Sequence, residues 1–379
     1  MRIVTRDDQR EFEFLTDRII GCLVGGAIGD ALGAPIEFDS WETIEAKYGP
    51  RGVTGFNEAY GRVGAVTDDT QMTLFTLEGL MRASVRGRTK GICHPPTQVR
   101  HAYLRWLWTQ GNGGPLVEAF GGGGDLPDGC LVKMPGLLHR RAPGLTCVGE
   151  LERGGNGSVA EPPNDSKGCG GVMRAAPVGF VNMPAEDRFE LGCEIAAITH
   201  GHPCGYLPAG YLATAVGELI DGHGLVHALD VARRVLIGWE HHEETLAAVD
   251  RGRELGERGV PTPADLAELG GGWTGEEALS IAIACAISAP SFERGVLVAV
   301  NHSGDSDSTG SITGNLLGAL FDQGGIDDDW RDTVEFLDEM EGLSCNAATE
   351  FHGEPPTDYD ESREGMADWE SWWEEYPGW

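Results

Sequence analysis

The sequence predicts an essentially all-α protein, and three observations carry that reading. Apolar residues recur at helical spacing in many segments, alternation of period two is scarce, and helix starts carry recognisable chemistry. Residues 16–34, TDRIIGCLVGGAIGDALGA, show the pattern most clearly. Ile19/Ile20, Leu23/Val24, Ala27/Ile28 and Ala31/Leu32 recur every four residues as a stripe for core burial. Gly21, Gly25, Gly26 and Gly29 each cost roughly 1 kcal/mol of helix propensity against Ala. Close approach by another helix or a ligand would explain them. Gly33 and Pro35 then stop the helix. A second buried helix is predicted over residues 68–83. Others follow at 97–109, 189–200, 203–221, 225–249, 275–289, 291–300 and 308–321. Pro203 stands at a first-turn position, and TGEE at 274–277 has the spacing of a capping box.

With 379 residues and 41% hydrophobic content, the chain is long and apolar enough to bury a substantial core. A formal charge of −32, with no Lys/Arg-rich run, disfavours unmodified nucleic acid and anionic membranes as partners; it also serves solubility. The nine cysteines are scattered without a CxxC pair, so neither a zinc ribbon nor a disulfide framework is indicated. The charged start, MRIVTRDDQREFEF, does not read as a signal peptide, and no apolar run reaches membrane-spanning length. A cytoplasmic location is expected. Residues 1–340 are expected to form a single domain, interrupted by a glycine-rich surface excursion at about 111–167. Residues 341–379 would be an acidic tail rich in tryptophan. From residue 351 onward it holds nine acidic residues against one basic, with Trp369, Trp372, Trp373 and Trp379, and should either dock through its tryptophans or stay disordered.

Two aspartate clusters carry the strongest chemical signal. Thr67, Asp68 and Asp69 open the helix at 68, where a capping role accounts for one aspartate but not both. Asp305, Asp307 and Ser308 repeat the arrangement before the helix at 308. Oxygen-rich clusters of this kind suit a hard cation such as Mg²⁺, and a shared two-metal site explains both better than two independent caps. Glycines at 168, 170 and 171, around Cys169, either form a tight turn or let backbone N–H groups approach a phosphate. His200 and His202 lie two residues apart, which suits hydrogen bonding rather than helical metal ligation. Glu37 follows Asp30 by seven residues, about two helical turns, so both could face one cleft and one could act as general acid or base. Trp273, beside a glycine turn, is either a core residue or a flat surface for a base.

In this order, GCLVGGAIGDALGAPIEF, GAVTDDTQM, SKGCGGVMRAAP, THGHP and NHSGDSDSTGSITGNLLGAL make the sequence resemble the ADP-ribosylglycohydrolase family over roughly residues 17–322. The resemblance implies a compact, orthogonal bundle of many helices, with two Mg²⁺ (or Mn²⁺) at the base of an ADP-ribose cleft. By motif, Thr67, Asp68, Asp69, Asp305, Asp307 and Ser308 would be the metal ligands. Glu37 would guard the metal site and, with Asp69, be a candidate catalytic carboxylate. Gly168, Cys169, Gly170 and Gly171 would form the diphosphate loop, and His200 would lie near the bound ligand. The implied reaction is hydrolysis of the bond between ADP-ribose and a modified acceptor protein, with arginine as the first expectation because an acidic rim favours a guanidinium leaving group. A non-catalytic ADP-ribose-binding protein of the same fold, or a two-metal phosphoesterase, is the alternative. Many relatives carry Asn where this chain has Cys169, which removes a side-chain amide from the loop.

Overall fold

The computed structural model describes residues 6–112, 127–359 and 363–378 (side chains of 7, 363 and 364 excepted), so the GGGG run of the excursion and Trp379 lie outside the described residues. The helices, in chain order, are α1 (Arg6–Gly33), α2 (Trp41–Tyr48), α3 (Asp68–Lys90), α4 (Pro95–Thr109) and α5 (Leu145–Glu152). Then come α6 (Ala185–Ala197), α7 (Pro203–Ile220), α8 (Leu225–Ile237), α9 (Glu243–Arg258) and α10 (Pro263–Ala267). The remainder are α11 (Gly275–Ser288), α12 (Phe292–Val300), α13 (Ser306–Phe321), α14 (Asp328–Thr333), α15 (Leu337–His352) and α16 (Arg363–Glu375). Among the described residues, strand structure is limited to one hairpin, Glu58–Ala59 against Arg62–Val63. The protein is all-α.

The centre of the bundle is the antiparallel pair α1 and α13. Ile19, Leu23, Ile28 and Leu32 on α1 and Ile312, Leu316 and Leu317 on α13 are all buried in one continuous core. Between the two helices the glycines of α1 meet those of α13. A Cβ on Gly25 would stand 2.5 Å from the Gly314 carbonyl oxygen, and one on Gly310 would stand 2.5 Å from that of Gly29. The same opposition pairs Gly21 with Gly318. These glycines therefore buy a backbone-to-backbone approach that any side chain would prevent. Asn315 Nδ2 ties the pair further by donating to the Cys22 carbonyl at 2.9 Å.

Three sequence expectations change. The helix expected over 225–249 is two helices, α8 and α9, broken at Gly238–His242; His241 there takes a positive φ of 58°. The capping box at 274–277 does not form, since Thr274 makes no side-chain cap bond, whereas Thr262 and Asp265 make one at the start of α10. The excursion at 111–167 is not merely surface. Its described part after residue 126 includes α5 and buries Leu131, Leu137, Cys147 and Leu151 in the core.

The boundary expected after residue 340 falls inside α15, which buries Met340, Leu343, Ala347 and Ala348. Beyond it, α16 docks against the C-terminal end of α3. Arg88 lies over the Trp369 ring at 5.2 Å and Lys90 over Trp373 at 5.7 Å. Trp372 Nε1 donates to Glu350 at 3.0 Å, and Tyr376 is fully buried.

The α1–α13 contact makes a direct prediction for stability. Gly314→Ala forces a Cβ against backbone that cannot turn aside, and should destabilise by about 3 kcal/mol or more. Gly342→Ala, on α15 with nothing within 4 Å of its added methyl, should be neutral or stabilising by up to about 1 kcal/mol. Thermal unfolding of the two variants beside the parent checks both signs.

Candidate active site

Where α1 ends, α3 and α13 begin, and their termini face one another across a cavity of about 400 Å³. The approach of α3 is fixed by Asp30, near the C-terminus of α1. Its carboxylate accepts the N–H of Thr67 at 3.0 Å and of Thr70 at 3.1 Å, as well as the Thr70 hydroxyl. Thr67 caps α3 by accepting the Asp69 N–H at 3.3 Å. On the other side Asp305 caps α13 by accepting the Ser308 N–H at 3.3 Å, which Asp307 also accepts at 3.0 Å. Capping thus directs both aspartate clusters to the same space. First-turn N–H groups that need partners from outside the helix, together with a positive helix end, make each terminus a favourable place for carboxylates.

The cavity is lined by Glu37, Asp68, Asp69, Asp305, Asp307 and Ser308 together with Gly168, Cys169, Gly170, His200 and Trp273. Of the residues singled out from sequence, Asp30, Thr67, Gly171 and His202 do not line it; His202 instead caps α7, its Nδ1 accepting the Cys204 N–H at 3.0 Å. Thr67 is fully buried behind the carboxylates, where its hydroxyl serves Asp307; Gly171 is buried against Gly205. Glu37 does reach the cavity, but not by helical spacing from Asp30. Helix α1 stops at Gly33, and a turn over 34–38 swings Glu37 toward Asp305 and Asp307, with carboxylate oxygens of all three within 4.8 Å. Asp30 itself points behind the site as a brace.

Sequence reasoning missed the opposite wall. Residues 142–147 line it, and the Gly144 N–H donates to Asp68 at 3.1 Å. Nothing in a glycine-rich stretch signals which of its turns will fold inward. Phe38 was also missed. It is exposed at the mouth, with its ring nearly parallel to that of Trp273 (15°) at 5.9 Å between centroids. Trp273 is half-exposed there rather than a core residue.

The glycine loop is more committed than its composition implies. The Gly168 N–H donates to Ser166 Oγ at 3.3 Å and the Cys169 N–H to the Trp273 carbonyl at 3.1 Å. Gly170 is left as the backbone donor beside the cavity. Cys169 places a thiol in this loop that donates to Asp305 Oδ2 at 2.9 Å. Burial, with Asp305 beside it, holds this thiol well above the usual cysteine range, so it stays neutral. Behind the loop Arg174, fully buried, donates to Thr199 Oγ1 at 2.6 Å, and Thr199 contacts His200 Nδ1 at 2.9 Å. Burial and the Arg174 charge lower the His200 pKa to about 3. The ring is neutral, and when Thr199 donates to Nδ1 the proton sits on Nε2, toward the loop.

Electrostatically the site is unbalanced. Among the described residues, its lining holds five carboxylates and no lysine or arginine. Burial first, then Asp307 and the other carboxylates, pushes Glu37 up to about 10. Burial and Asp307 raise Asp30 to about 7. Asp68, Asp69 and Asp305 are driven well above the carboxylate range by burial and then by the Asp307 charge, and Asp307 is raised by burial. Two buried oxygens of the lining, Glu37 Oε2 and Asp69 Oδ1, have no hydrogen-bond partner among the described residues. Buried carboxylates without partners are costly unless a proton or cation joins them. An all-oxygen set of this kind fits hard divalent cations.

Comparison with known proteins points the same way. The model of the ADP-ribosylglycohydrolase family matches residues 12–357. The ADP-ribosyl-[dinitrogen reductase] glycohydrolase of Rhodospirillum rubrum is 23% identical, over 86% of this chain and 92% of its own. The human ADP-ribosylhydrolase ARH3 is 22% identical over 86% of this chain and 92% of its own. A solved structure titled ADP-ribosylglycohydrolase-related protein complex superposes with a TM-score of 0.60 at 24% identity, covering 89% of this chain and 99% of that one. Among the described residues, no helix is long and apolar enough to cross a membrane.

The raised carboxyls give a signed prediction. Each binds its proton more tightly folded than unfolded, so its stabilising contribution is complete below the ordinary values of 3.8 and 4.5. It is lost as pH rises through the folded values, about 7 for Asp30 and about 10 for Glu37. Protein stripped with EDTA should therefore lose thermal stability between about pH 5.5 and about pH 8.5, and added Mg²⁺ should restore more at the higher pH, where fewer protons compete. Thermal unfolding at both pH values, with EDTA and with Mg²⁺, measures this; an equal gain at both would contradict it.

Proposed function

The chain belongs to the ADP-ribosylglycohydrolase family, whose members hydrolyse ADP-ribose linkages, and on that premise we propose that it is a Mg²⁺-dependent hydrolase that releases ADP-ribose from modified protein arginine. The observation that carries this reading is the cavity lined, among the described residues, by five carboxylates and no basic side chain. The residues to hold two Mg²⁺, with Mn²⁺ as a substitute, are Asp68, Asp69, Asp305, Asp307 and Ser308, with Thr67 behind them. When bound, the ions supply charge neutralisation, polarisation of ribose hydroxyls and orientation of a water.

The protein's own groups then divide the work. Glu37 and Asp69 each keep a buried oxygen without a hydrogen-bond partner among the described residues, and, ionised once the charge of the cluster is neutralised, they are suited to take a proton from the attacking water. Neutral Cys169 steadies Asp305 instead of adding another negative charge. The Gly170 N–H and neutral His200 offer uncharged donors to a diphosphate, a useful property in a chain of charge −32. Phe38 and Trp273 form an apolar, ring-lined edge on which an adenine can stack. The acidic interior favours a leaving guanidinium over a neutral or anionic leaving group.

The test is ADP-ribose release from an arginine-ADP-ribosylated protein, with Mg²⁺, with EDTA, and with Asp305→Asn. Intact ADP-ribose should be released only with Mg²⁺, and Asp305→Asn should lower the rate by at least about 100-fold. Glu37→Gln should lower kcat while leaving ADP-ribose binding within a few-fold. Release of AMP in place of ADP-ribose, or release unaffected by EDTA, would refute the proposal.

A further inference from the structure

At the opposite end of α7 from the cavity lies a second cluster that the reaction does not use. Glu218, in the last turn of α7, faces His223 in the following turn and His227 in the first turn of α8. A single carboxylate oxygen, Glu218 Oε2, stands 3.1 Å from His223 Nδ1 and 3.3 Å from His227 Nε2. All three ligand atoms lie within 4.8 Å of one another. The cluster is separated from the start of α7 by 15 residues, roughly 22 Å of helix.

The arrangement is held in place. Gly222, with φ of 93°, turns the chain back, and the His223 N–H donates to the Glu218 carbonyl at 3.0 Å. The two imidazoles stack at 4.4 Å between centroids, 30° apart. Arg188 stands 3.9 Å from the other Glu218 oxygen, which leaves Oε2 turned toward the rings. Glu218 is largely buried while both histidines are half-exposed, so an ion from solvent has an open approach and room for water ligands.

We propose that Glu218, His223 and His227 form a binding site for a divalent transition-metal ion of the Zn²⁺ type. Ligands at 2.0–2.1 Å in a tetrahedron are spaced about 3.3 Å apart. The two Glu218–imidazole separations already match that spacing, so the ion needs little rearrangement. Two imidazoles and one carboxylate select borderline ions such as Zn²⁺, Ni²⁺ or Cu²⁺ over Mg²⁺. A neutral imidazole presents its lone pair at the facing nitrogen by changing tautomer, so the ion replaces two N···O contacts with three coordinate bonds. Bound there, it clamps the α7–α8 corner and stabilises the folded chain by linkage. A comparable cluster of Cys204, Glu244 and Glu276 lacks this opening, because Lys167 already pairs with Glu244 at 2.6 Å.

The experiment uses untagged full-length protein, stripped with EDTA and then held in excess Mg²⁺ so that hard oxygen sites are filled. Zn²⁺ is titrated calorimetrically into the parent, into a double variant carrying His223→Ala and His227→Ala, and into Glu218→Gln. The parent should take up one equivalent of Zn²⁺ more than the double variant, and Glu218→Gln should bind that equivalent at least about 10-fold more weakly. Cu²⁺ in place of Zn²⁺ should give an electron paramagnetic resonance spectrum with imidazole nitrogen coupling that the double variant loses. Both histidines are exposed, so the double variant should keep its circular dichroism and its Mg²⁺-dependent activity. Equal Zn²⁺ uptake and affinity in parent and double variant would overturn the proposal, as would no uptake by the parent.

Discussion

Helices α1 and α13 run so close that their backbones touch, and the rest of the molecule is arranged around that contact. Glycine faces glycine at three successive turns, which removes the side chains that normally hold helix axes 8–10 Å apart. Gly33, at the last turn of α1, then lies directly against residues 306 and 307. The start of α13 is thereby delivered to the end of α1. Asp30 reaches from that end to grip the start of α3 through two N–H groups and a hydroxyl. Aspartates about 240 residues apart in the chain meet because three helix termini are tied to one another.

That meeting has an electrostatic cost that the fold does not itself relieve. Hydrogen bonds from Thr67, Gly144, Ser308 and Cys169 satisfy individual oxygens, yet burial still raises every carboxyl in the cluster, and for Asp30, Asp68 and Asp305 the Asp307 charge adds to it. Helix ends supply only partial charges. A cavity kept acidic in this way is organised to receive positive charge, and the neutral forms of Cys169 and His200 keep the second wall from adding to the repulsion. The Arg141–Glu335 ion pair fixes the segment leading to Thr67, with Arg141 donating to the Val66 carbonyl at 2.9 Å. Charge is thus paired around the site and left unpaired within it.

Much of this was legible in the sequence, and for identifiable reasons. The period of the apolar residues marked α1, α3, α7, α11 and α13, because a buried helix must repeat its apolar face. The misplaced glycines of α1 signalled a close neighbour, though not that the neighbour's own glycines would answer them. Paired aspartates at two helix starts announced a shared site because capping requires only one at each. What escaped was set by tertiary geometry. Phe38 and the 142–147 wall carry no periodic signal, and Glu37 was found for the wrong reason, since a turn and not a helix places it. Arg174 was visible as a charge, but its burial beneath Tyr103, 4.1 Å from the ring, and its link through Thr199 to His200 depend on chain segments far apart.

The claim at the centre of this account is that the two aspartate clusters form one cation site. Crystals grown with Mn²⁺ and measured at the manganese absorption edge test it most directly. Anomalous peaks bridging Asp68 or Asp69 on one side and Asp305 or Asp307 on the other are the expected result. Peaks confined to a single cluster, or a cavity with no anomalous density at saturating Mn²⁺, would contradict it.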